Sequence, residues 1–304
     1  MASPDFDRSF DPAYGRPVPL AAGVERLTVN NPSAFTFHGT NSYIVGSGAS
    51  VAVIDPGPDD AAHFDVLMTA LAGRSVSHIF VSHTHRDHSP LAGRLAQATG
   101  ALTVGQGPHR AARPLHAGEV NPFDESADMD FAPDIAVADD ETVSGDGFAL
   151  TALLTPGHCA NHACFALEGS GIVFSADHVM AWATSVVAPP DGAMADYMAS
   201  LERMLTRDDR IFYPGHGGPV REPASFMRGL RTHRRMRERA IFERIRAGDR
   251  LIVEMVKAIY RDTDARLHGA ASLSVLAHLE DLVEKGLVAT DGPPSLLGAY
   301  RPAN

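Results

Sequence analysis

The stretch His83-Thr84-His85-Arg86-Asp87-His88 puts three imidazoles and a carboxylate into six positions, in the pattern H-x-H-x-D-H. Before it, Val76-Ser77-His78-Ile79-Phe80-Val81 is a short apolar run that predicts a buried strand. After it, Ser89 to Thr99 carries Leu91, Leu95 and Ala98 at helical spacing. The cluster therefore falls on a strand-to-helix loop, where rigid elements on both sides can aim side chains into one cavity. Neutral imidazole nitrogen and carboxylate oxygen are ligands that suit zinc and neighbouring first-row divalent ions. Four such groups exceed what one tetrahedral ion can use while keeping a position open for substrate. That surplus predicts two metals, against the plainer reading of a solvated loop that happens to be His-rich.

Composition narrows the function classes. The chain has 304 residues, 44% of them hydrophobic, enough for one large domain or a medium domain plus a small one. A formal net charge of −11 does not favour nucleic acid as a partner, because affinity for polyanions rests largely on basic surface. No apolar run is long enough to span a bilayer, so no membrane partner is expected. Met1 to Leu20 is broken by Pro4, Pro12, Pro17 and Pro19 and lacks an apolar core flanked by positive charge, so the expected location is the cytoplasm. Two cysteines, Cys159 and Cys164, are too few for a disulfide framework. Among the 15 histidines, His63 and His233 read as ordinary surface residues. Oligomeric state has no signature in the sequence.

Outward from the cluster, strands alternate with helices, which indicates an α/β architecture. Strands are predicted at Val24 to Asn30, Asn41 to Val45, Ser50 to Asp55 and Ala101 to Val104, and a helix at Asp60 to Ala72 with Phe64, Leu67, Met68 and Leu71 on one face. Residues 106 to 142, with several prolines and an acidic run, read as a long surface excursion, either a lid or a solvated loop. Strands resume at Phe148 to Leu154, Ala163 to Leu167, Gly171 to Ser175 and Ile211 to Tyr213, with a helix at Ala195 to Leu205. Beyond Pro219 the character changes. An Arg-rich helix from Glu222 to Ile245, helices at Leu251 to Tyr260 and Ser272 to Lys285, and a short strand at Leu287 to Thr290 make a winged-helix-like module. The boundaries are expected at 1–220 for a metal-binding domain and 221–304 for the module.

Three further residues share one context, a strand end followed by a sharp turn: His158 in Thr155-Pro156-Gly157-His158, Asp177 in Phe174-Ser175-Ala176-Asp177, and His216 in Tyr213-Pro214-Gly215-His216-Gly217. Any one alone reads as a turn residue; three together, downstream of the H-x-H-x-D-H loop, point to one site. With Asp55 at its own strand end, this ordered set resembles the metallo-β-lactamase superfamily across about residues 24 to 220. The resemblance implies an αββα sandwich with two metals at one edge, most simply Zn2+, with Fe or Mn as other occupants. It implies that His83, His85 and His158 hold one ion, that Asp87, His88 and His216 hold the other, and that Asp177 bridges both. Asp55 would orient ligands from behind. The tail resembles the winged-helix domain of one hydrolase branch that includes endoribonuclease-like members.

Two dications about 3.5–4 Å apart would make a bridging water a hydroxide nucleophile near neutral pH, and Asp87 beside it is the residue to handle the proton. The expected reaction is hydrolysis of an ester-like bond: a phosphodiester or RNA, or a small-molecule thioester or carboxylic ester. Other classes are an iron-dependent oxygen-handling enzyme with the same ligands, and a module that binds nucleic acid through its winged helix. The Arg-rich helix reads either as an anion-binding wall or as a solvated face. His162 reads as support for His158, Cys159 as a buried reduced thiol, Tyr197 as core, and Gly39-Thr40-Asn41 as groove lining or a simple turn.

Overall fold

The computed structural model describes residues 4–121, 123–262 and 264–303. Among these, the first sheet takes β1 (Val18–Ala21), β2 (Val24–Thr28), β3 (Asn41–Val45), β4 (Ser50–Ile54), β5 (Ser75–Phe80), β6 (Leu102–Gly105) and β7 (Ile135–Ala136) in that spatial order. Pairing is antiparallel up to β4 and parallel beyond it. The parallel steps need crossovers, and helices α1 (Ala61–Ala70) and α2 (Leu91–Thr99) supply two of them. The second sheet is built from β8 (Thr142–Gly145), β9 (Phe148–Leu154), β10 (Ala163–Leu167), β11 (Ile172–Ala176) and β12 (Ile211–Pro214), with α3 (Met194–Met204) as the crossover from β11 to β12.

Three apolar layers hold this arrangement. Tyr43, Ile54, Phe80, Phe165 and Phe174 fill the space between the sheets. Leu67 of α1 and Leu95 of α2 cover the outer face of the first sheet against Ile44, Val53 and Ile79. Tyr197 and Leu201 of α3 cover the second against Val173 and Phe212. The result is the αββα sandwich expected from the sequence. Each fully buried aromatic contributes on the order of 2–3 kcal/mol through area removed from water.

The C-terminal module comprises α4 (Pro223–Arg246), α5 (Ile252–Ile259), α6 (His268–Glu284) and a hairpin of β13 (Val288–Thr290) with β14 (Tyr300–Pro302). Ile241, Ile245, Met255, Val256, Leu279 and Tyr300 make its own core. Met227 and Leu230, at the other end of α4, pack instead with Tyr197 and Leu201 of the sandwich. No helix among the described residues is long and apolar enough to cross a membrane.

Two expectations need correction. His63 is not a surface residue: it sits on the buried face of α1 with Nε2 3.0 Å from Ser42 Oγ. The excursion at 106–142 is neither free lid nor solvated loop along its whole length. Asp128 N donates to Thr84 O at 2.7 Å and Arg86 N to Ser126 O at 2.9 Å, so the segment is bonded to the backbone of the His cluster itself.

Candidate metal centre

The site lies where the C-terminal ends of β4, β5, β9, β11 and β12 meet at one edge of the sandwich. Backbone bonds sew the two sheets together there: Asn41 N donates to Gly215 O at 2.7 Å, and Ala163 N to Ser82 O at 2.8 Å. Asn41 Nδ2 donates to both Pro214 O and Gly217 O at 3.0 Å. The Gly39-Thr40-Asn41 stretch is thus scaffold. Asp55 and Ala176, each just at a strand end, hold φ of 48° and 42°, a left-handed conformation uncommon outside glycine and typical of functional turns. Gly215 admits no side chain, because a Cβ would stand 2.5 Å from Asp177 Oδ1 and 2.7 Å from His88 Cε1.

All seven predicted ligands converge. His83 Nε2 is 3.1 Å from His85 Nδ1, which is 2.9 Å from His158 Nε2. On the other side, Asp87 Oδ2 lies 3.3 Å from both His88 Nε2 and His216 Nε2. Asp177 stands between the groups, its Oδ2 3.6 Å from His158 Nε2 and its Oδ1 3.6 and 3.4 Å from His88 and His216 Nε2. Three donor sets, His83-His85-His158, His83-His88-Asp177 and Asp87-His88-His216, are each close enough to hold one ion.

Hydrogen bonds on the far side of each ring decide what these nitrogens can do. His158 Nδ1 donates to Val186 O at 2.6 Å, His216 Nδ1 to Gly39 O at 3.2 Å, and His88 Nδ1 to Asp55 Oδ2 at 3.0 Å. Asp55 also accepts Ser82 N and Ser82 Oγ, both at 2.7 Å. With its proton given to Asp55, Ser82 Oγ accepts from His83 Nδ1 at 2.9 Å. His85 Nε2 donates to Asp191 Oδ2 at 2.7 Å. The rings of His83, His85 and His158 therefore spend their one proton outward and present bare lone pairs to one another. Lone pairs 2.9–3.1 Å apart repel one another, and His88 Nε2 and Asp177 Oδ1 are buried with no hydrogen-bond partner. Cations between them satisfy all of these groups at once. The donor set fits metal.

Electrostatics agree. Burial, then His85, pulls His158 down to about 4, so it is neutral and able to ligate. Burial likewise lowers His83, helped by His88 and His85. His216 behaves oppositely: burial lowers it, but Asp177 and then Asp87 outweigh burial and raise it to about 9. The two carboxylates thus create a field that demands positive charge at this spot, which a proton or a metal ion can supply. Burial raises Asp177 and Asp87, yet their histidine neighbours prevail and hold both well below the usual carboxylate range.

Other candidates sort clearly. His162 does not support His158 by a hydrogen bond; its Nδ1 is 2.9 Å from Thr155 Oγ1 and its Nε2 accepts Asp177 N at 3.2 Å, so it braces the turn that carries Asp177. Cys159 is a buried free thiol pushed up by burial. Tyr197 is core. The residues missed from the sequence are Ser82, Asp191 and His109. The last approaches Asp191 Oδ1 at 3.1 Å. Ser82 had a visible signal, a hydroxyl next to the first ligand, whereas Asp191 had only its place in the Pro189-Pro190-Asp191-Gly192 turn.

Comparison with known proteins agrees with this geometry. Residues 35–216 match the family described as the Metallo-beta-lactamase superfamily, and residues 252–293 match the Beta-lactamase associated winged helix domain. The chain is 29% identical over 282 residues to the Beta-lactamase-like protein 2 homolog of Drosophila melanogaster, spanning 88% of this chain and 90% of that one. Over 206 residues it is 29% identical to an Atrochrysone carboxyl ACP thioesterase of Paecilomyces divaricatus, spanning 66% of this chain and 57% of that protein. The crystal structure of a Beta-lactamase domain protein from Burkholderia ambifaria shares the fold with a TM-score of 0.80 at 21% identity, covering 99% of this chain and 97% of that one. With its metal-binding groups at the sandwich edge and its C-terminal winged helix, the chain belongs to the metallo-beta-lactamase superfamily.

Proposed function

We propose that this metallo-hydrolase holds two divalent ions, zinc in the first place, and hydrolyses a carboxylic thioester. Asp177 is the observation that carries the two-ion reading, since its oxygens are divided between His158 on one side and His88 with His216 on the other. His83, His85 and His158 would hold the first ion, and Asp87, His88 and His216 the second. Ions bound there would supply the Lewis-acid charge that brings the deprotonation of water towards neutral pH and offsets charge on an oxyanion. Asp87 is the more exposed carboxylate, at 27% against 10% for Asp177, and it is ionised. It is therefore the better placed to take a proton from water. Thr40 Oγ1 donates to its Oδ2 at 3.0 Å and keeps it oriented.

The choice of a thioester over a phosphodiester rests on where the arginines of α4 go. Arg231 and Arg235 both pair with Glu202, Arg244 pairs with Asp249, and Arg237 stacks over Tyr260. Arg234 is buried over Tyr197 and donates to Ser185 O. These charges tie the chain to itself, and the net charge of −11 adds nothing to attract a polyanion. The thioesterase name of one relative points the same way. In this reading residues 221–304 brace α3 and the sandwich rather than grip nucleic acid. Metal-analysed protein assayed against acyl thioesters, a lactone, a simple phosphodiester and RNA tests it. Thioester cleavage that a chelator stops and zinc restores is expected; RNA cleavage without thioester cleavage would contradict the proposal.

A further inference from the structure

We propose that Asp191 is a positioning residue for the metal centre, one that decides which nitrogen of His85 is free; the inference rests on the two-ion reading. The Asp191 side chain is 3% exposed, and its Oδ2 accepts Nε2–H of His85 at 2.7 Å. Its other oxygen lies 3.1 Å from His109 Nε2 in a contact too bent for a full hydrogen bond. His109 is fixed from behind. Asn161 Nδ2 donates to Thr84 Oγ1 at 2.9 Å, so the Thr84 hydroxyl can spend its own proton on His109 Nδ1 at 3.0 Å. That leaves the His109 proton on Nε2, facing Asp191. Thr84 stands between the ligands His83 and His85, so the network closes on the loop it serves.

The consequence for His85 follows from what surrounds its other nitrogen. Nδ1 faces two bare lone pairs, His83 Nε2 at 3.1 Å and His158 Nε2 at 2.9 Å. Without an acceptor at Nε2, the imidazole gains a hydrogen bond by moving its proton to Nδ1. The donor triad then closes on a proton, and a metal ion must displace it. Asp191 holds the proton outward and keeps the triad open.

The test compares wild type with Asp191→Ala and with Asp191→Asn, which preserves volume if the alanine variant does not fold. In metal-free protein, long-range 1H–15N NMR of the histidine rings is expected to show the His85 proton on Nε2 in wild type and on Nδ1 in Asp191→Ala. Chelator competition is expected to show the first ion bound about 10–100-fold more weakly in Asp191→Ala and at least about tenfold in Asp191→Asn. Wild type that binds two ions, with both variants within twofold of it and His85 still protonated at Nε2, would overturn the role of Asp191 alone. Wild type that binds no metal would overturn the two-ion reading together with it.

Discussion

At the scale of single residues, the site is held by positions that tolerate no substitute of ordinary shape. Gly215 is the sharpest case, since any Cβ would press on Asp177 and His88 together. Gly215→Ala is predicted to weaken metal binding by about tenfold, the size of effect seen when ligand support is lost, while the thermal transition stays cooperative. Chelator competition measures it, and unchanged affinity would mean that the two ligands are free to move aside. The ligands themselves were legible in the sequence because four of them crowd into six positions and the other three are chemically distinctive side chains just past a strand, two of them after a Pro-Gly turn. Asp191 and His109 were not. Asp191 meets His85 across 106 positions of chain, and nothing local to a Pro-Pro-Asp-Gly turn announces that contact.

Elements carry the burial that makes acid a threat to this protein. His63 of α1 and His278 of α6 are both buried. Burial lowers His63 to about 4 and His278 to about 3. The unfolded chain takes up these protons near pH 6.5, whereas the folded chain refuses them until much lower pH. Stability therefore falls as pH drops from about 6.5 towards 4, by an amount on the order of a few kcal/mol. Urea unfolding of metal-free protein checks this: the midpoint should decline through that window, and decline less in His278→Gln. A flat profile would contradict it. Helices and central strands were readable from periodicity, but β1 and β14 were not. Both are short edge strands, and Val18-Pro19-Leu20-Ala21 and Tyr300-Arg301-Pro302 each carry a proline, which weakens a run as a strand signal. The Arg-rich run of α4 left two readings open for a different reason. Charge in sequence does not reveal its partners, and Glu202, which pairs with Arg231 and Arg235, lies on another helix.

For the whole molecule, the architecture brings five strand ends to one edge and covers the second sheet with helices shared by the C-terminal module. The sandwich was legible because α/β alternation and buried strands follow from hydrophobic pattern alone. The path of residues 106–142 was not, because its anchors, backbone bonds to Thr84 and Arg86 and side-chain contacts such as Ser89 with Asp128 and Thr103 with Asp134, join positions far apart in the chain. In the proposed centre, Asp177 joins two ion sites into one hydrolytic unit. Elemental analysis of zinc-reconstituted protein decides it. Two ions per chain in wild type and none retained in Asp177→Ala is the predicted result; a single ion in wild type, or two in Asp177→Ala, would contradict it.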